Sequence, residues 1–305
     1  MALTLALLGA GALVLYLGAE AAVRGAAGLS RALRIPAFAL GALLFGVDLE
    51  GLGAALAAAG AGQTEIAAGE SFGTILFLFS FALGAALLLA RRPVPSPSPA
   101  MVALPALPVI ACAAAITDRF VSRWEGVLLV VIYVGYVVMV VMRGDAPERE
   151  LDEASATRSG LALGMLTVGG LVLVFVGATL LVAGGGRVVD LTALSAGFVG
   201  AAVVGILVSL DEVLLEVLPI RHGEPELATG NLFGTLAAFT TGVPGLAALV
   251  RPLILDGVAA ATYLAAVLLY FAVGTTFLLR GQAGRLLAAT VLILYAMWLA
   301  LASQA

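Results

Sequence analysis

The chain has 305 residues, 62% hydrophobic and 11% charged, with a formal net charge of −4 and a mean hydropathy of +1.15. That balance excludes an ordinary soluble domain and reads as a polytopic membrane protein, because each crossing of a bilayer core takes about 20 apolar residues. No basic tract accompanies the acidic balance, which removes nucleic acid as a partner and leaves the lipid bilayer and inorganic cations.

Apolar runs bounded by charges, proline or glycine predict ten spans, at 2–22, 36–59, 67–90, 99–117, 125–142, 160–183, 194–218, 226–250, 257–279 and 285–303. Residues 2–17 lack the basic flank of a signal peptide, so the first run reads as a retained helix. The stretch RRPVPSPSP at 91–99 is a linker between spans three and four. Cys112 is the only cysteine; it cannot form an intramolecular disulfide and reads as a small packing residue. The longest polar stretch, 143–159, is an acidic linker between a first five-span unit, 1–142, and a second, 160–305.

The two units say the same thing twice. Residues 49–74 (LEGLGAALAAAGAGQTEIAAGESFGT) align without a gap on 210–235 (LDEVLLEVLPIRHGEPELATGNLFGT), 161 residues later. Leu49/Leu210, Gly62/Gly223, Glu65/Glu226, Ala67/Ala228, Gly69/Gly230, Phe72/Phe233, Gly73/Gly234 and Thr74/Thr235 are identical. A duplicated unit with an odd number of spans must enter the membrane upside down the second time. The expected fold is therefore all-α integral membrane, with ten transmembrane helices in two inverted five-helix repeats. The basic residues, all arginine, agree with this. With both termini outside, Arg24, Arg31, Arg34, Arg91, Arg92, Arg143, Arg149, Arg158, Arg221, Arg280 and Arg285 fall inside, and only Arg119, Arg123, Arg187 and Arg251 outside. The protein is expected in the cell membrane with 143–159 cytoplasmic.

Carboxylates inside spans cost about 2.5–3.5 kcal/mol each on insertion scales and mark function by default. Asp48 and Glu50 lie in span two; Asp211, Glu212 and Glu216 lie in span seven; Glu70 opens span three. Clustered carboxylates without lysine or arginine at the same depth call for a bound cation or a proton, and hard oxygen ligands suit calcium or sodium. Simpler readings apply to several acids. Glu65 and Glu226 fall in solvated loops, Glu216 can snorkel or cap as well as ligate, and Glu70 can sit at the positive end of a helix. His222 reads as solvent-exposed.

LGAEAAVRGAAGLSRALRIPAFALGALLFGVDLEGL and VGATLLVAGGGRVVDLTALSAGFVGAAVVGILVSLDEVL, each followed by a glycine-rich segment (GESFGT, and RHGEPELATGNLFGT), resemble the two repeats of the cation/calcium exchanger family. The resemblance implies a secondary active antiporter working by alternating access, with a midplane site between spans 2–3 and 7–8. It implies calcium or a related cation exchanged against sodium, with proton coupling or a non-transporting relative as alternatives. The family's GTSLPE appears here as LVSLDE, which keeps Ser209 and Glu212 and puts Asp211 in the proline place. In the first copy it appears as GVDLEG, with Asp48 in the serine place, Glu50 in the proline place and Gly51 in the glutamate place. The segment GSNIFN becomes GTILFL and GTLAAF, so Thr74 and Thr235 keep a hydroxyl while Leu78 and Phe239 replace the last polar residue.

The implied cation ligands are thus Asp48, Glu50, Thr74, Ser209, Asp211, Glu212 and Thr235, with no resident cofactor, the ions being cargo. Asp48 lies three residues from Gly51, on the same helical face, so the carboxylate of the first copy is expected to have moved there and to pair with Glu212. Asp48 and Glu50 can reach one cavity only if the backbone unwinds between Gly46 and Gly53. No H-E-x-x-H or nucleophile-elbow context is present, which argues against an enzyme.

Overall fold

A computed structural model describes residues 2–143, 159–191 and 210–302. The 143–159 linker and Ser209 fall, wholly or nearly so, outside the described residues. Fourteen α-helical segments are described: α1 Ala2–Leu33, α2 Ala37–Leu40, α3 Leu49–Gly60, α4 Thr64–Phe77, α5 Leu83–Leu89, α6 Pro99–Ala103, α7 Ala106–Ala115, α8 Arg123–Arg143, α9 Gly160–Leu191, α10 Leu210–His222, α11 Pro225–Ala237, α12 Val243–Val250, α13 Gly257–Arg280 and α14 Arg285–Ala302. Single π-helical turns at Gly41–Phe45, Leu78–Ala82 and Ala238–Gly242 continue α2, join α4 to α5 and join α11 to α12. Among the described residues seven helical stretches are long and apolar enough to cross a membrane, and two shorter apolar ones, Pro99–Ala115 and Arg285–Ala300, accompany them. Leucine, valine and methionine side chains stand exposed along α8, including Leu128, Val131, Val138 and Met142, as a lipid-facing surface requires.

The chain packs as two units that do not follow chain order. The first comprises α1, α9 and most of α10, within Met1–Ile35 and Pro147–Leu218. Here α1 and α9 run antiparallel along a glycine seam. Gly11, Gly18 and Gly25 of α1 are seven residues apart, as are Gly170, Gly177 and Gly184 of α9. Each removes a side chain where the other backbone arrives: a methyl group on Gly18 would come 2.6 Å from the Val174 nitrogen, and one on Gly11 2.9 Å from the Leu181 nitrogen. In a bilayer, where lipid competes with apolar side chains, such close backbone approach is the main way two helices gain dispersion contact. At 1.5 Å per residue each of these 32-residue helices exceeds the roughly 30 Å hydrocarbon thickness.

The second unit holds the rest, Pro36–Ala146 and Pro219–Ala305. Its centre is α11, whose residues Leu227 to Ala237 are all buried. The first half of span two crosses it with backbone in contact: methyl groups on Gly41, Gly230 or Gly234 would strike Leu227, Phe38 or Ala42. Three tyrosines tie surrounding helices to this core by donating to main-chain carbonyls. Tyr136 donates to Phe233 at 3.1 Å, Tyr263 to Val109 at 2.5 Å and Tyr270 to Val102 at 3.0 Å. The last two clasp a helix that is interrupted at Leu104–Pro105. Tyr263→Phe and Tyr270→Phe are each expected to lower stability by about 1 kcal/mol, additively, in denaturant unfolding of the detergent-solubilised protein.

The sequence duplication has local structural counterparts. Gly62 and Gly223 both adopt positive φ, +84° and +79°, before α4 and α11, which accounts for glycine at both places. The π turns at Leu78–Ala82 and Ala238–Gly242 fall in matching positions to within one residue. Two short antiparallel ladders close the unit: β1 (Val94–Pro95) pairs with β4 (Gln282–Ala283), and β2 (Phe120–Val121) with β3 (Leu253–Ile254).

The observed helices correct three boundaries that matter for reading the acids. α4 begins at Thr64, so Glu70 lies nearly two turns inside it and is not a helix-start residue. Glu65 and Glu226 are exposed, as expected, but sit in the first turns of α4 and α11 rather than in loops. Arg24 and Arg31 belong to α1, which continues past the expected end at 22; Arg24 pairs with Glu20 one turn earlier.

Candidate functional site

Span two is broken at its middle. The π turn Gly41–Phe45 ends with the Gly46 nitrogen donating to the Gly41 carbonyl at 2.9 Å, and Val47 and Asp48 leave the helix before α3 starts at Leu49. Gly46 is the pivot: a methyl group there would stand 2.7 Å from the Ala42 carbonyl oxygen and 2.8 Å from the Thr235 nitrogen. The unwinding expected from Gly46 and its neighbours is therefore present, and it lies just before the two carboxylates.

Asp48 is the N-cap of α3. Its Oδ1 accepts from the Glu50 nitrogen at 2.9 Å and its Oδ2 from the Gly51 nitrogen at 3.0 Å. These two bonds satisfy first-turn backbone donors of α3. An ionised carboxylate offers about four acceptor sites, so two backbone bonds leave capacity for a cation. The Oδ2 atom also lies directly over the Gly51 α-carbon, where a side chain at 51 would begin. The displaced carboxylate expected from the three-residue spacing does overhang Gly51.

Glu50 lies in the first turn of α3 and is half-buried. Glu70, on α4, is close enough to Asp48 and Glu50 for their charges to act on it, which gathers three acids of the second unit into one neighbourhood. They do not converge on a point: among the described residues no three histidine, cysteine, aspartate or glutamate side chains are placed to hold a metal ion together. Thr74 on α4 is partly exposed, and Thr235 on α11 is buried.

Asp211 and Glu212 occupy the first turn of α10, within the first unit. Glu216, one turn further along α10, is 1% exposed, which excludes the snorkelling role considered for it. Glu212 and Glu216 share a helix face by their four-residue spacing.

Two sets of residues escaped the sequence reading. Ser80 and Thr241 occupy equivalent positions of the two copies, and each hydroxyl donates to the carbonyl four residues back, of Leu76 and Ala237 respectively. Both are fully buried in π turns, and their 161-residue spacing was the available signal. Phe239 is the other. Its ring is completely buried, and a methyl group on Gly51 would come 3.0 Å from its Cζ and 3.1 Å from its Cε1.

The profile of the Sodium/calcium exchanger protein family matches residues 3–142 and 162–304, nearly the whole chain. The chain belongs to that family. Among curated relatives, the Inner membrane protein YrbG of Escherichia coli (strain K12) is 27% identical over 83% of this chain and 81% of its own length. CaxA of Alkalimonas amylolytica, described as a candidate antiporter, is 26% identical over 82% of each chain. Structures of the sodium-calcium exchanger NCX_Mj superpose with a TM-score of 0.85 over 98% of both chains, at 20% identity for the form soaked with zero Na+ and Ca2+ and 22% for the form soaked with 10 mM Na+ and zero Ca2+. At that identity the likeness establishes a shared fold. Membership makes this protein a multi-pass membrane transporter of the exchanger family and not an enzyme. The GVDLEG segment, which departs from GTSLPE at four of six places, coincides with the break in span two.

Proposed function

We propose that this exchanger carries calcium or a related cation across the membrane in exchange for sodium, by alternating access. The carrying observation is the broken span two, interrupted at residues 46–48 with a capping carboxylate where the helix resumes. Half-helix ends of this kind supply oxygen ligands to ions in other transporters. The first copy contributes Asp48, Glu50 and Thr74, and the second Ser209, Asp211, Glu212 and Thr235. The ten-span, inverted arrangement is supported by the antiparallel run of α1 and α9, the first helices of the two copies. It is also supported by the ladders. β1 and β4 lie in segments whose arginines favour the inside, and β2 and β3 in segments placed outside, so each ladder joins segments of the same expected side. Both termini are then outside and 143–159 cytoplasmic.

Proton coupling is the second reading, and a specific observation favours it. Leu78 and Phe239, in the places where the resemblance implies polar ion ligands, are both buried and apolar. Asp48, Glu50 and Glu70 would then carry the counter-transported proton. A third reading, a non-transporting membrane relative that binds no cation, is separated by binding itself. Thermal unfolding of the purified protein is expected to shift upward with added calcium, and the shift to disappear in Glu212→Gln. Unchanged unfolding in calcium, strontium and sodium alike would contradict cation recognition.

A further inference from the structure

Gly51 stands in the first turn of α3, buried, with no room for a side chain. Two groups occupy that room: the Asp48 carboxylate, through Oδ2, and the Phe239 ring, through Cζ and Cε1. The ring arrives from the π turn Ala238–Gly242, 188 residues away in sequence, and is completely buried. The two oddities of the chain, a glycine where the first copy's glutamate is expected and a phenylalanine where the second copy's last polar residue is expected, are one contact.

We propose that Phe239 is a specificity-determining residue, a plug that fills the ligand volume above Gly51 and leaves Asp48 as the carboxylate of that half of the site. The proposal deepens the cation-antiport reading and rests on it. A ring edge offers no oxygen to a dehydrated cation, so the plug lowers the number of ligands and the negative charge available beside Asp48. Fewer hard oxygens weaken binding of a divalent ion more than that of a monovalent one, because the interaction scales with charge. Gly51 and Phe239 are therefore energetically coupled: a side chain at 51 needs the ring at 239 to give way.

The test is a double-mutant cycle read by thermal unfolding, with and without calcium. Alanine in place of a helical glycine normally stabilises. Here Gly51→Ala is expected to lower the unfolding temperature by a few degrees, because buried Phe239 and Asp48 must shift. Gly51→Ala made in a Phe239→Ala background is expected to lower it less, the remaining loss being the displacement of Asp48. Gly51→Glu combined with Phe239→Ala is expected to show a larger calcium-induced shift than either the wild type or Phe239→Ala alone. An unchanged or raised unfolding temperature in Gly51→Ala would overturn the plug. Steric coupling with equal calcium response in all variants would overturn the specificity role. Steric coupling with no response to any cation in any variant would place the failure in the cation-antiport reading, and the specificity role would fall with it.

Discussion

Asp48→Asn is expected to leave the fold nearly as stable as the wild type while abolishing cation-driven transport, whereas Asp48→Ala removes both. The contrast follows from the two jobs of one side chain. As N-cap of α3, Asp48 accepts from the Glu50 and Gly51 nitrogens. Asparagine caps a helix about as well as aspartate, but only its amide oxygen accepts, so the structural cost is one of the two first-turn bonds and the attraction between the charge and the helix dipole, about 1 kcal/mol. Alanine also orphans the two nitrogens, for a total cost of about 2 kcal/mol. The charge itself is what a cation needs, and asparagine lacks it. Denaturant unfolding reports the first quantity and vesicle flux the second. Equal stability loss in both variants would contradict the capping role, and full transport in Asp48→Asn would contradict the ligand role.

The second large effect separates two adjacent glycines of α9. Gly170 is buried on the seam, and a methyl group there would strike the backbone of Ala22 and lie 2.7 Å from the Gly18 carbonyl oxygen. Gly169 is exposed, with nothing within 4 Å. Gly170→Leu is expected to destabilise by about 3 kcal/mol or more, since neither backbone can retreat without separating α1 from α9. Gly169→Leu is expected to be neutral or to stabilise by up to about 0.8 kcal/mol through helix propensity. Unfolding of the two variants in detergent checks the pair; similar behaviour would mean that the seam is not a close backbone contact.

The legible and illegible parts of this chain divide by range. The apolar runs located the helices to within a few residues in most places, because crossing a bilayer imposes a length and a composition that sequence displays directly. The break in span two was legible because Gly46, Gly51 and Gly53 flank the two carboxylates of GVDLEG. The positive-φ turn at Gly62 and Gly223 was marked by identity between copies. The glycine seam was readable in principle, as two series at seven-residue spacing, but 37 glycines spread through the chain conceal any one series. The start of α4 was misplaced because Thr64 and Glu65 are polar, and that error put Glu70 at a helix end. The contact of Phe239 with Gly51 could not be read at all, since nothing in either neighbourhood points to the other. Substitutions that look like two separate losses of a ligand become one event only when the backbone brings them together.

The central claim is tested most directly by calcium-45 flux into vesicles containing the purified exchanger, with sodium and pH gradients imposed separately. Uptake driven by an imposed sodium gradient and lost in Asp48→Asn is the predicted result; uptake driven by the pH gradient alone would assign the coupling to protons. No uptake under either gradient, from protein shown to be folded, would contradict the account.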